Sequence, residues 1–325
     1  MSLRSYHEVL FLLIIVLLFL IGFLGPNFWK IPQPLFSFKV IKKNNISNLS
    51  VNLKRLNQFH LNNKYLSSDQ FEDKTVVFQW SKLILNNVKN NVSIPRMYFP
   101  FIPKNISQYE IEKKKSIFIA ILLPIVLRGN ELVLEERNLM KIAFSTNNIY
   151  QIEHFSKKYK VKNFKKLNFS SLDRSRLNII KMELLKKINT IPISMILAQS
   201  IIESGWGTSR FAQEGNALFG QWTWKNEDGI KPKGNLEANF SVKNFKSLLD
   251  SVNSYILNLN THPAYDELRN FRISQHNMGK NVNGNDMANF LQKYAEIGYT
   301  YVLKVKEMIR KNKLNKFENS KLIIY

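Results

Sequence analysis

The stretch AQSIIESGWGTSRFAQEGNALFGQW, Ala198–Trp222, passes from an apolar segment into glycines and aromatics and places Glu203 at the change. Upstream, Thr190 is positioned to cap a helix with Pro192 in its first turn, where a missing N–H costs little. Ile193, Met195, Ile196, Leu197, Ala198, Ile201 and Ile202 then form an apolar surface too wide for a solvent-facing helix, which predicts a helix buried in a core. Gly205 and Gly207 do not readily continue it, so Glu203 falls in the last turn. There the negative end of the helix dipole and the neighbouring Trp206 both disfavour an ionised carboxylate, and a raised pKa suits a general acid. Taken alone, the same residues describe an ordinary solvated glutamate near a helix end, and it is the rest of the segment that points to an acid.

The signature extends well beyond that one residue. An AQ-x-x-x-ES-x-WG helix end followed by N-x-LFG resembles the catalytic segment of bacterial cell-wall glucosaminidases, in particular the Bax-type proteobacterial family (unrelated to the apoptotic protein) and, more distantly, flagellar rod-associated glucosaminidases. Three further stretches carry the resemblance: FKSLLDSVNSYILNLNTHPAYDELR at 245–269, YAEIGYTYVLKVKEMI at 294–309, and, upstream, KKKSIFIAILLPIVLRGNELVLEER at 113–137. The resemblance implies a mannosyl-glycoprotein endo-β-N-acetylglucosaminidase-like domain with Glu203 as its acid.

At 325 residues the chain is long enough for one well-packed domain plus an appended region. A net charge of +23 and a pI near 9.9 favour anionic surroundings such as nucleic acid, anionic lipid or an acidic cell wall. Lysine far outnumbers arginine and the basic residues are scattered, as coding bias and a solvated surface also produce. Absence of cysteine excludes a disulfide framework, thiolate metal ligation and a cysteine nucleophile.

Near the N terminus, VLFLLIIVLLFLIGFL (9–24) is an apolar run of 16 residues that Gly25, Pro26 and Trp29 extend to an interface. No small-residue cleavage site follows, so it reads as an uncleaved inner-membrane anchor over residues 9–25, with secretion after signal cleavage as the alternative. Lys30, Lys39, Lys42 and Lys43 pull against export, whereas a cell-wall substrate requires a periplasmic catalytic domain. The expected layout is an anchor at 1–29, a stalk and accessory region at 30–105, a helical region at 106–164, a catalytic domain at 165–315 and a tail at 316–325.

Within this layout TVVFQW (75–80) reads as a strand, and a kinked helix containing Pro124 is expected over 107–144, docked on the catalytic domain. A second membrane segment is the alternative for its apolar centre, Ile117–Leu127. Residues 162–187 read as a basic amphipathic helix with Ser170 or Ser171 as cap. An Asp-Gly turn at Asp228 and alternation through Ala238, Phe240 and Val242 predict a β-hairpin lobe at 224–245.

Glycoside hydrolysis needs a second group beside the acid, either a carboxylate or the substrate's acetamido oxygen. The resemblance places one cleft wall at the hairpin, where Glu237, then Asp228, then Glu227 are the candidates. Sugars present apolar CH faces and hydroxyls, so Trp206, Phe219, Trp222 and Trp224 are candidates for stacking. Asn216 matches the asparagine of N-x-LFG. Tyr294 matches a tyrosine whose hydroxyl the resemblance turns toward the reaction centre, with Tyr301 as its companion and substrate neighbour. His262 reads as a loop residue, and the histidines do not cluster, so neither a metal nor a cofactor is expected. No nucleic-acid module is present in the sequence, and oligomeric state is not legible.

The sequence therefore predicts a mainly α (α+β), lysozyme-like domain with a small β-hairpin lobe behind an N-terminal transmembrane helix. Its expected activity is cleavage of the β-1,4 bond between N-acetylglucosamine and N-acetylmuramic acid in peptidoglycan strands. A lytic transglycosylase of the same fold and a catalytically inactive wall-binding or assembly module are the alternatives.

Overall fold

The computed structural model describes residues 64–65, 73–223, 229–231, 239 and 241–324. The anchor at 9–25 and the stalk up to residue 63 lie outside the described residues. The described chain is mainly helical. It opens with β1 (Lys64–Tyr65), α1 (Lys74–Lys89), β2 (Met97–Tyr98) and the long α2 (Ile111–Ser145), followed by α3 (Ile149–Lys158), α4 (Arg174–Lys187), α5 (Ile193–Ser204) and the short α6 (Arg210–Gly215). A small sheet of β3 (Trp222–Thr223), β4 (Gly229–Ile230) and β5 (Ser241–Lys243) precedes α7 (Leu248–Thr261), α8 (Asp266–Asn277), α9 (Gly284–Ala288) and α10 (Tyr299–Lys311).

The strand expected over 75–80 is instead the start of α1. Six residues of TVVFQW do not separate the two periods, but Asp73 accepts a hydrogen bond from Thr75 N at 2.7 Å and caps a helix. Val77, Trp80, Ser81 and Ile84 then fall on one buried face.

That face lies against α2, the centre of the fold. α2 runs unbroken through Pro124. A proline has no N–H to give the carbonyl four residues back, here that of Ala120. The Trp80 indole N–H donates to that same oxygen at 3.1 Å, so the acceptor left by the proline is satisfied by α1. Among the described residues α2 is the one helix long and apolar enough to cross a bilayer, and 83% of its apolar window is covered by the rest of the protein. α1, α3, α5 and α7 pack around it, which makes it a core helix.

α4 is capped by Asp173, which accepts from Arg176 N at 2.7 Å, rather than by Ser170 or Ser171. The carbonyls at its C-terminal end are taken up by two arginines. Arg137 Nη1 donates to the Leu185 and Ile188 carbonyls. Arg272 Nη2 donates to those of Lys186 (2.9 Å) and Lys187 (3.3 Å), and its Nη1 to those of Asn189 (3.1 Å) and Thr190 (2.9 Å) and to Asn260 Oδ1 (2.9 Å). Positive charge at a helix C terminus complements the dipole, and these contacts fix the turn from α4 into α5.

At the start of α5, Thr190 is not the cap. The helix begins after Pro192, and the carboxylate of Glu318 accepts from Ile193 N (3.0 Å), Ser194 N (3.1 Å) and the Ser194 hydroxyl. The segment expected to be a tail thus closes the fold. Phe317 and Leu322 are buried, and Leu322 forms a parallel bridge with Ile94.

The lobe is not a two-stranded hairpin. Its strands run in the order β3-β5-β4, with β5 antiparallel to both neighbours: Trp222 opposite Val242, Ile230 opposite Val242. The alternation read around Val242 therefore belongs to a central strand. One continuous core joins Val77 and Trp80 of α1 to α2, α5, α7, α10 and Phe317, and a small separate cluster of Ala217, Val242 and Phe245 sits under the sheet.

Candidate active site

Glu203 lies in the last turn of α5, and Gly205 ends the helix in the left-handed region at φ 58°. Trp206 (φ 59°) and Gly207 (φ 76°) stay in that region, so three residues in succession turn the chain back. A Cβ on Gly207 would sit 3.0 Å from the side chains of Ile102 and Phe118. A tryptophan with positive φ is strained, and the surroundings hold it there. Trp206 N donates to Ile201 O at 3.2 Å, its ring meets Phe118 edge-on at 6.0 Å, and the Lys115 ammonium lies 5.8 Å from the ring.

The Glu203 carboxyl is half-buried, and its two oxygens differ. Oε1 accepts a hydrogen bond from the Tyr301 hydroxyl at 2.5 Å. Oε2 is bonded to none of the described residues and is not sealed from solvent. Gly220, at φ +58°, lies beside this free oxygen, and a Cβ there would come within 3.5 Å of it. Burial pushes the Glu203 pKa up, and the hydrogen bond from Tyr301 opposes it without reversing the direction. Burial and the Glu203 charge raise the Tyr301 phenol, which stays protonated and acts as donor.

Behind Tyr301 stand three more aromatic side chains. Tyr294 stacks on Tyr301 at 5.2 Å and 12°, and its hydroxyl donates to the Phe219 carbonyl at 3.1 Å. Phe219 stacks on Tyr255 at 4.1 Å. The structure brings Glu203, Tyr294, Tyr301 and Phe219 together, with Trp206 on the turn after the acid and packed on Phe118, and it is the Tyr301 hydroxyl, not that of Tyr294, that touches the acid. Phe219 is buried and packs inward, whereas Trp222 on β3 is 55% exposed. Asn216 is buried in a left-handed turn at φ 52°, where its Nδ2 donates to the Phe245 carbonyl at 3.0 Å and ties α6 to the base of the lobe. Trp224, Glu227, Asp228 and Glu237 lie outside the described residues. His262 caps the turn Pro263–Tyr265 through its Nδ1. Among the described residues no three His, Asp or Glu side chains converge as metal ligands.

Two residues of this cluster, Gln199 of the AQ-x-x-x-ES motif and Tyr255, carry no assigned role in the sequence pattern. Gln199 stands one turn before Glu203 on the same face of α5, and a polar residue there in an apolar helix was the available signal. Tyr255, in SYILNL, gives no such sign.

A half-buried carboxyl with a raised pKa, held through one oxygen by a tyrosine at the end of a buried helix, is chemically suited to general-acid work. Residues 180–314 match the glucosaminidase family model, described as mannosyl-glycoprotein endo-β-N-acetylglucosaminidase. The chain is also similar to Protein bax of Escherichia coli (strain K12), at 29% identity over 193 residues, covering 58% of this chain and 66% of that protein. The match thus spans just under two thirds of the relative's length. No solved structure matches the chain.

Proposed function

We propose that residues 165–315 form a lysozyme-like catalytic domain that hydrolyses the β-1,4 bond between N-acetylglucosamine and N-acetylmuramic acid in peptidoglycan. The observation that carries this reading is the Glu203 carboxyl, with Oε1 held by Tyr301 and Oε2 open. Burial raises its pKa, the direction a group that donates a proton to the leaving glycosidic oxygen requires. The positive charge that develops at the anomeric carbon on the other side of the bond is met by a second group, which attacks that carbon or activates the water that does: Glu237, Asp228 or Glu227, or the substrate's own acetamido oxygen. Tyr294 braces the Phe219–Gly220 segment against Tyr301 and so shapes the acid's surroundings. Trp222 offers an exposed face for a sugar ring, Trp206 and Trp224 are further stacking candidates, and Asn216 ties the chain beneath to Phe245. Residues 9–25 anchor the chain in the inner membrane and place this domain in the periplasm. The family description supports glycan hydrolysis, and the net charge of +23 suits an acidic wall polymer.

The test is mass spectrometry of digested cell wall. Fragments with reducing-end N-acetylglucosamine are expected. Anhydro-muramic ends would identify a lytic transglycosylase instead, and wall lysis unaffected by Glu203→Gln would identify a binding or assembly module.

A further inference from the structure

Gln199 is fully buried in α5 and lies behind Tyr301 as seen from Glu203. Both ends of its amide are committed. The Tyr255 hydroxyl donates to Gln199 Oε1, so Nε2 faces Tyr301 and donates to its oxygen at 3.0 Å. With that lone pair occupied, the Tyr301 proton is directed at Glu203 Oε1. A reversed amide would draw the Tyr301 proton inward and leave Oε1 of a protonated Glu203 to act as donor toward Tyr301. The acid's proton would then face the core and not the cleft. Tyr255 opposes the reversal: its ring is fixed by the stack with Phe219, and Gln199 Oε1 is the one acceptor of its buried hydroxyl proton among the described residues, so a reversed amide would leave that proton unpaired.

We propose that Gln199, oriented by Tyr255, is a positioning residue that selects Oε2 of Glu203 as the oxygen carrying the catalytic proton. This rests on the reading of Glu203 as general acid. The titratable groups facing Glu203 among the described residues are phenols: Tyr301 on α10, Tyr255 on α7 and Tyr294 before α10. None of them offers a competing charge near neutrality.

The experiment titrates the Glu203 carboxyl by carbon-13 NMR in the full chain and in Gln199→Met, alongside the alkaline limb of kcat against pH. Without the Gln199 N–H, Tyr301 is a weaker donor to the carboxylate, so the Glu203 pKa rises, by about half a pH unit. The alkaline limb moves up with it, while kcat falls about three- to tenfold and KM changes little. A merely structural role would admit water and move the pKa down, toward the ordinary 4.5. A downward or absent shift overturns the proposal. Tyr255→Phe keeps the ring and removes the orienting hydroxyl, so a shift in the same direction is expected even where Gln199→Met folds poorly. In a Tyr301→Phe background Gln199→Met should add no further shift, and an additive one refutes action through Tyr301. If the protein hydrolyses no glycan, the NMR titration still decides this inference, while the functional reading alone fails.

Discussion

Replacing Glu318 by alanine removes the cap of the helix that carries the acid. Two backbone N–H groups and the Ser194 hydroxyl lose their acceptor, and Ser194 is fully buried, so water does not replace it. Loss of a helix cap costs about 1 kcal/mol, and loss of a negative charge at a partly buried helix N terminus about 1 more. The unpaired buried hydroxyl adds about 1 kcal/mol. The sum is about 3 kcal/mol, and at about 2–4 °C per kcal/mol it lowers the melting temperature by about 6–12 °C. Glu318→Gln keeps one acceptor and loses the charge, so about half the effect is expected. Urea unfolding of the full chain followed by tryptophan fluorescence measures both variants. At a temperature where the variants remain folded, kcat should change less than twofold, because Glu203 and its tyrosines sit at the opposite end of α5. A loss below about 0.5 kcal/mol for the alanine variant would refute the capping argument.

Four other outcomes follow from the same geometry. Glu203→Gln should lower kcat by about 10²–10⁴. It should also stabilise the fold at neutral pH: a carboxyl whose pKa is raised on folding favours the folded state below its unfolded pKa and loses that contribution as pH rises, so the gain should vanish in melts below pH 4. Arg272→Met removes the guanidinium donor from the Lys186 and Thr190 carbonyls and from Asn260 Oδ1, while the Asn189 and Lys187 carbonyls keep a second donor, and should cost about 3 kcal/mol in urea unfolding. Gly220→Ala adds a Cβ at positive φ beside Glu203 Oε2; it should cost about 1 kcal/mol of stability and reduce kcat disproportionately in wall-digestion assays. Trp222→Ala should raise KM for glycan oligomers about five- to tenfold with a smaller change in kcat, since the ring is exposed on β3.

Local chemistry made the acid legible. Gly205 and Gly207 fix the end of α5, and the apolar run before them fixes its burial, so the place of Glu203 followed from about a dozen residues. What failed was decided by distant partners. Thr190 is a reasonable cap by sequence, yet a carboxylate more than a hundred residues later takes the position. TVVFQW carries strand-forming residues, but its environment is the flank of a buried helix, and packing overrode propensity. Tyr294 and Tyr301 were both found, but which one touches the acid depends on the rotation of α10 against α5. Tyr255 needed the structure entirely, because an aromatic in an amphipathic helix has the same appearance whether it fills a core or orients an amide.

The contact between the Trp80 indole and the Ala120 carbonyl bears on how such a protein is inherited. Pro124 opens a bond in the middle of α2, and the residue that closes it belongs to α1, both outside the segment 180–314 by which the family is recognised. A copy of that segment moved alone into another chain would arrive without the helix its core is built around, and α2 moved without α1 would carry an unanswered carbonyl. The unit that has to travel together is therefore larger than the unit that can be recognised.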